Sequence, residues 1–102
     1  FFVRSEGSLT VNEIAPRVHN SGHWTIEACA CSQFEQHIRA VADWPLGDPA
    51  RHADAVMENI IGAEAQAWES LARAGALHLY GKREARLGRK MGHMTQLKPL
   101  TK

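Results

Sequence analysis

The chain has 102 residues, 44% of them apolar, and twelve basic side chains against eleven acidic ones leave a net charge of +1. That length suits one small domain of marginal stability, and the near-neutral balance argues against a nucleic-acid module that works by neutralising phosphates. Two cysteines one residue apart predict reduced thiols in a cytoplasmic protein rather than a secreted disulfide scaffold, and no apolar run approaches the roughly 20 residues of a membrane span.

Phe1–Val3 is apolar, Arg4–Ser8 is polar with Gly7, and Leu9–Ile14 alternates and is rich in β-branched residues. Two such runs around a short loop read as a β-hairpin. The opening residues lack the basic leader and the apolar length of a signal peptide. Pro16 cannot donate a ladder hydrogen bond and disfavours helix at Ala15, so the second strand is predicted to stop near Ala15, with Glu13 close to its end. From Asn12 to Trp24 the chain carries a carboxylate, an arginine, two histidines and two asparagines. A carboxylate can hold Mg²⁺, and metal and guanidinium together can neutralise phosphoryl oxygens, so these residue types point to metal–phosphate chemistry. His19 and His23 are four apart, but Asn20-Ser21-Gly22 between them is not helical, which argues against a zinc pair.

Thr25–Cys31 has no clear period and is predicted to be extended or irregular, with Cys29 and Cys31 on one face as small packing groups. Ser32-x-x-Glu35 has the form of a capping box, and Phe34, Ile38, Val41 and Ala42 follow at helical spacing. That helix should end by Trp44, before Pro45-Leu46-Gly47-Asp48-Pro49. This breaker cluster is the best domain boundary and divides residues 1–44 from 45–102. His52–Ile61 is ambiguous, because Ala53, Val56, Met57 and Ile60 would share a helical face. Ala63–Ala74 reads as a short helix with Trp68 and Leu71 inward, closed by Gly75. Ala76–Tyr80 alternates as a strand with His78 opposite Leu77 and Leu79, Gly81–Gly88 is a polar connection, and Arg89–Leu97 is the return strand. Residues 98–102 are predicted to fray. Lys82, Arg83, Arg86, Arg89 and Lys90 form a basic cluster, which by itself reads as a solvated loop. Glycines beside Lys82 and before Arg89 would let the backbone approach a phosphate.

Asn12-Glu13-Ile14-Ala15-Pro16-Arg17-Val18-His19-Asn20-Ser21-Gly22-His23-Trp24-Thr25 resembles the signature of the 5-(carboxyamino)imidazole ribonucleotide synthases, a family of ATP-grasp ligases. The likeness continues through Ser32–His37, Arg39–Val41, Val56-Met57 and Asn59–Gly62, and returns at Leu77–Lys82, Glu84–Arg86 and Gly88–His93. It implies an α+β fold in which residues 1–44 are the last strands and helix of an ATP-grasp domain. Residues 45–102 would be a small β-rich C-terminal domain, with Ala55–Ile61 a strand. It also implies that the chain is only the back part of such an enzyme, commonly dimeric, that consumes ATP and bicarbonate in purine synthesis.

By the same resemblance Glu13 is a Mg²⁺ ligand facing the ATP phosphates, with Asn12 beside it, and a second acidic ligand would lie at or just before the position of Phe1. Arg17 would meet anionic oxygens, while His19 and Asn20 orient bicarbonate or the amine of 5-aminoimidazole ribonucleotide. Lys82 and Arg89 would bind the 5′-phosphate of that ribonucleotide. The family commonly has proline where Leu87 stands. Lacking most of a nucleotide pocket, the chain alone is expected to be inactive. The alternative is a stand-alone, non-enzymatic domain that binds a phosphorylated ligand through Lys82 and Arg89, and a third reading is an inert interaction domain. Intact motifs on both sides of Pro45 favour the enzyme, since a binding module has no need of Glu13.

Overall fold

Strand β5 (Lys90–Lys98) carries the longest buried run of the chain, Met91 to Thr95, and a strand buried on both faces has to be central. In the computed structural model, which describes residues 1–101, it pairs antiparallel with β3 (Asp54–Ile61) on one side and β4 (Ala76–Leu79) on the other. β3 and β4 are therefore parallel and separated by β5, and the connection between them is a split crossover through a 3₁₀ stretch, Gly62–Ala67, and helix α3 (Trp68–Ala74). The resemblance-based strand over Ala55–Ile61 is thus present and the helical reading of that segment is excluded.

Directly opposed residues share a face, so the register sorts the sheet into two sides. Ile60, Gly92 and Leu79 share one side with Met94 and Leu77, which Gly75 at the end of α3 approaches closely. Asn59, His93 and His78 face the other way, towards the N-terminal half of the chain, with Thr95 beside them. His78 does lie opposite Leu77 and Leu79, as the alternation predicted.

The first hairpin forms, but β1 is Phe2–Val3 and β2 is only Leu9–Thr10. The expected second strand to Ala15 is corrected: β1 offers partners for no more than two residues, and beyond Thr10 the backbone is unpaired in any ladder. Glu13 accordingly sits in a loop. Thr25–Cys31 is also corrected. Thr25–Ala28 forms a one-turn helix, α1, because the Thr25 hydroxyl donates to the Gly22 carbonyl at 2.6 Å and closes the preceding 3₁₀ turn, Asn20–Gly22, onto it. Helix α2 (Gln33–Val41) begins as predicted, with the Ser32 hydroxyl accepting from the Glu35 N–H at 3.2 Å. It ends at Asp43 in the left-handed region (φ 55°), which an aspartate tolerates better than most residues. Its apolar stripe divides: Phe34 packs against His23, whereas Ile38 and Val41 stay exposed.

Trp68 was expected inward and is half exposed; the 3₁₀ stretch delays the start of α3 to Trp68 itself, leaving Leu71 as its inner residue. Gly75 closes α3 by donating to the Leu71 carbonyl at 3.2 Å. The tail is not frayed at Thr101, whose N–H and hydroxyl both donate to Asp54 Oδ2, the former at 3.0 Å; Lys102 lies outside the described residues.

The segment after Pro45 is stitched to what precedes it. Ala30 N–H donates to Ala50 O at 3.0 Å, His52 N–H to Ala28 O at 2.8 Å, and the Gln36 amide clamps both backbone groups of Gly47. Cys29 and Cys31 are buried free thiols in this seam. Burial pushes the Cys29 thiol up from its ordinary pKa, as befits a thiol that packs rather than reacts.

Candidate functional site

The loop between β2 and α1 is held by one side chain. Gln33, the first residue of α2, accepts from the His19 N–H at 3.1 Å and donates to the His19 carbonyl at 2.6 Å, while its own N–H reaches Thr25 Oγ1 at 3.0 Å. The His19 ring caps the 3₁₀ turn, with Nδ1 accepting from the Ser21 N–H at 3.2 Å and lying 2.8 Å from Ser21 Oγ. The loop therefore presents a fixed backbone rather than a flexible tether.

Asn12, Glu13 and His19 line one cleft of about 340 Å³ together with Phe1, Ala15 and Ser21. Glu13 is exposed there and makes no ion pair among the described residues. Arg17 is not in this cleft: its guanidinium donates to the Val18 carbonyl at 3.1 Å and lines a separate, mainly apolar cleft of about 480 Å³ beside Cys29, Cys31 and His37. Asn20 turns the other way, to the sheet. Its Nδ2 donates to Asn59 Oδ1 on β3 at 2.8 Å, and its Oδ1 accepts from Lys90 Nζ at 3.3 Å.

Through Lys90 the loop meets the basic connection. Lys82 Nζ donates to the Lys90 carbonyl at 2.6 Å and lies 5.6 Å from the centre of the Tyr80 ring. Arg89 donates to the Glu84 carbonyl at 3.3 Å. Arg86 is instead paired with Glu84 at 2.6 Å, so the five cations are not equivalent. Gly81 and Gly88 both have positive φ, 66° and 72°, and let this connection turn sharply at each end. The structure thus brings Asn20, Lys90 and Lys82 into one neighbourhood, and leaves Arg17 outside it.

Spacing did not reveal the partly buried cluster behind the loop. His78 and His93 oppose each other on β4 and β5, their rings stacked at 4.8 Å, and His78 Nε2 lies 2.5 Å from Glu27 Oε1 on α1. Tyr80 OH joins His93 Nδ1 at 2.8 Å to His23 Nδ1 at 3.2 Å, so the sheet's histidines connect to the loop. Burial lowers the His93 pKa, aided by the neighbouring His78 and His23 and opposed by Glu27. Burial also lowers that of His23, with His19, Lys90 and His78 acting in the same direction. Both rings are therefore held neutral near pH 7. The one available signal was strand alternation, which put His78 on the face opposite Leu77 and Leu79 but could not pair it with a glutamate 51 residues away.

Comparison with known proteins bears on both halves. Residues 1–34 match the ATP-grasp domain family, and residues 55–101 match the phosphoribosylaminoimidazole carboxylase C-terminal domain family. The chain is 60% identical over 103 residues to the N5-carboxyaminoimidazole ribonucleotide synthase of Brucella melitensis, covering 99% of this chain and 28% of that protein. It superposes with a TM-score of 0.86 and 42% identity on the carboxyaminoimidazole ribonucleotide synthase of Aspergillus clavatus complexed with ATP, over 96% of this chain and 28% of the other. A structure of the Aspergillus clavatus enzyme with ADP and 5-aminoimidazole ribonucleotide gives 0.85 and 42%, over 97% and 29%. The chain spans little more than a quarter of the length of these relatives. With near-complete coverage of its own residues at such identity, and with the α+β arrangement in common, the chain belongs to the N5-carboxyaminoimidazole ribonucleotide synthase family, of which it carries part of the ATP-grasp domain and the C-terminal domain.

Proposed function

We propose that this chain serves an ATP-dependent carbon–nitrogen ligase that carboxylates the amine of 5-aminoimidazole ribonucleotide, with bicarbonate as the carbon source. The observation that carries the reading is the junction of Asn20 with Lys90 and, through the Lys90 carbonyl, with Lys82. It sets amide and ammonium groups beside the loop that bears Glu13 and His19, as a reaction between two phosphorylated, anionic substrates requires.

In this reading a bicarbonate oxygen attacks the γ-phosphorus of ATP and ADP leaves. The amine nitrogen then attacks the carboxyl carbon, directly or after release as carbon dioxide, and phosphate departs. Glu13, with Asn12 beside it, would hold Mg²⁺ on the ATP phosphates, and its exposed carboxylate, in no ion pair among the described residues, fits that hard-cation role, with waters and phosphate oxygens completing the shell. The bound cation would neutralise charge on the phosphoryl oxygens. Arg17 would meet anionic oxygens only after giving up the Val18 carbonyl and swinging out of the cleft beside Cys29 and Cys31. His19 and Asn20 orient bicarbonate or the amine on a backbone fixed by Gln33. Lys82 and Arg89 bind the ribonucleotide 5′-phosphate, each now resting on a backbone carbonyl that a phosphate would replace. We place the functional division at Pro45, and assign the protein to the cytoplasm, as its free buried thiols favour, and to a homodimer on the resemblance alone.

The test is a chimera in which this chain replaces the matching quarter of the Brucella melitensis relative, assayed for ribonucleotide-dependent phosphate release. Activity is expected. Lys82→Ala should raise KM for the ribonucleotide and leave that for ATP unchanged, and Glu13→Gln should abolish Mg-ATP turnover without unfolding the chimera. Equal loss of both affinities in Lys82→Ala, or normal turnover in Glu13→Gln, contradicts the assignments.

A further inference from the structure

Glu27, His78 and His93 are used by nothing in the reaction proposed above, yet they bring three metal-ligating atoms within 4.8 Å of one another. Their elements hold them there independently: His78 and His93 are cross-strand partners, and Glu27 descends onto them from α1. Two atoms in the cluster are buried without a partner among the described residues, Glu27 Oε2 and His93 Nε2. His93 is only 2% exposed, so its free nitrogen cannot turn to water. A buried polar atom left without a partner is costly, so two in one cluster call for an occupant.

The hydrogen bonds around His93 indicate what kind of occupant. If His93 Nδ1–H donates to Tyr80 OH and that hydroxyl donates to His23 Nδ1, every proton is used and Nε2 is left with a lone pair. The reverse order would bury an Nε2–H donor with nothing to accept it. The first arrangement is the ligand form of histidine, oriented through its other nitrogen as metal-bound histidines are.

We propose that Glu27, His78 and His93 form a site for a divalent transition metal of the Zn²⁺ type. Two imidazoles and one carboxylate are a zinc donor set that leaves a fourth position for water. Binding displaces the proton shared between His78 Nε2 and Glu27 Oε1 and releases it to solvent. The His78 side chain is 38% exposed, which gives the ion a way in. Binding would turn the His78 ring out of its stack on His93 and bring the donors to the roughly 3.3 Å separations of a tetrahedron with bonds of about 2.0–2.1 Å. The site is distinct from the proposed Mg²⁺ position at Glu13, which is all oxygen and lies in another cleft.

The experiment is a titration of the full 102-residue chain with Co²⁺, read by its visible absorption, followed by displacement with Zn²⁺ under calorimetry. One equivalent with a tetrahedral-type spectrum and sub-micromolar Zn²⁺ affinity is expected. Glu27→Gln and His78→Gln should each weaken Zn²⁺ by more than about 100-fold, and Tyr80→Phe by about 10-fold through loss of the bond that orients His93. Circular dichroism of each variant separates loss of the site from loss of the fold, and Glu27→Gln, which keeps the shape of the side chain, is the decisive one. Binding no tighter than micromolar, an octahedral spectrum, or affinity unaltered in a folded Glu27→Gln chain overturns the site. None of these readouts involves ATP or the ribonucleotide, so the ligase reading stands or falls separately.

Discussion

Gln33 grips both backbone groups of His19 through the two ends of one amide, and its own N–H rests on Thr25. Removing the amide frees the loop on which Glu13, His19 and Asn20 ride. With each such bond worth about 1 kcal/mol net, Gln33→Ala should cost about 1–2 kcal/mol, read as a lower urea midpoint at unchanged slope. Gly22→Ala should act on the same contact from the other side, since a Cβ there would lie 2.6 Å from Gln33 Oε1. Wild-type midpoints in both variants would show that the clamp does not support the loop. In the sequence Gln33 was one letter of a motif. Nothing local tells an amide which backbone, fourteen residues away, it will meet. Glu13 and His19 stood out in the sequence because their residue types can carry chemistry, while the turning of Arg17 towards Val18 was not legible, because a long side chain's direction depends on its neighbours.

At the scale of elements, β5 depends on a single glycine. A Cβ on Gly92 would run into the His78 carbonyl of β4, with Leu79 Cδ2 also 3.1 Å away. Gly92→Ala should therefore push β4 from β5 and destabilise the sheet by about 1–3 kcal/mol, the usual cost of overpacking a tight contact. Its amide exchange protection should fall across Ala76–Leu79 first, because among the described residues that short strand pairs with β5 alone. Unchanged protection there would refute the close approach. β4, β5 and the start of α2 were readable from alternation and a cap, both of which act within a few residues. α1 was missed because its single turn arises from closure of the loop before it and from packing of Ala28, not from a helical period. β2 was overextended because alternation continues past Thr10 after the partner strand has ended.

The whole molecule is open for its length, with a radius of gyration of 15.7 Å against about 13 Å for an ordinary 100-residue domain. Phe1, Phe2, Leu9, Val11 and Ile14 on or beside the hairpin, and Ile38, Val41, Trp44 and Leu46 on or beyond α2, are all more than half exposed. Apolar surface on this scale seeks cover. The isolated chain should self-associate at micromolar concentration in light scattering, whereas the chimera with the remaining three-quarters of the relative should not aggregate. A monodisperse, monomeric isolated chain would show that these residues need no cover. By itself the sequence determined the family, the end of α2 before Pro45, the residue types of the Asn12–Trp24 loop and the alternation of the last strands, because motifs, turn residues and periodicity are local and survive without knowledge of the fold. Only the tertiary structure decided that Asn20 meets Lys90, that Glu27 meets His78 and His93, and that Arg17 faces elsewhere, because such contacts join residues up to 70 positions apart and depend on sheet register and packing.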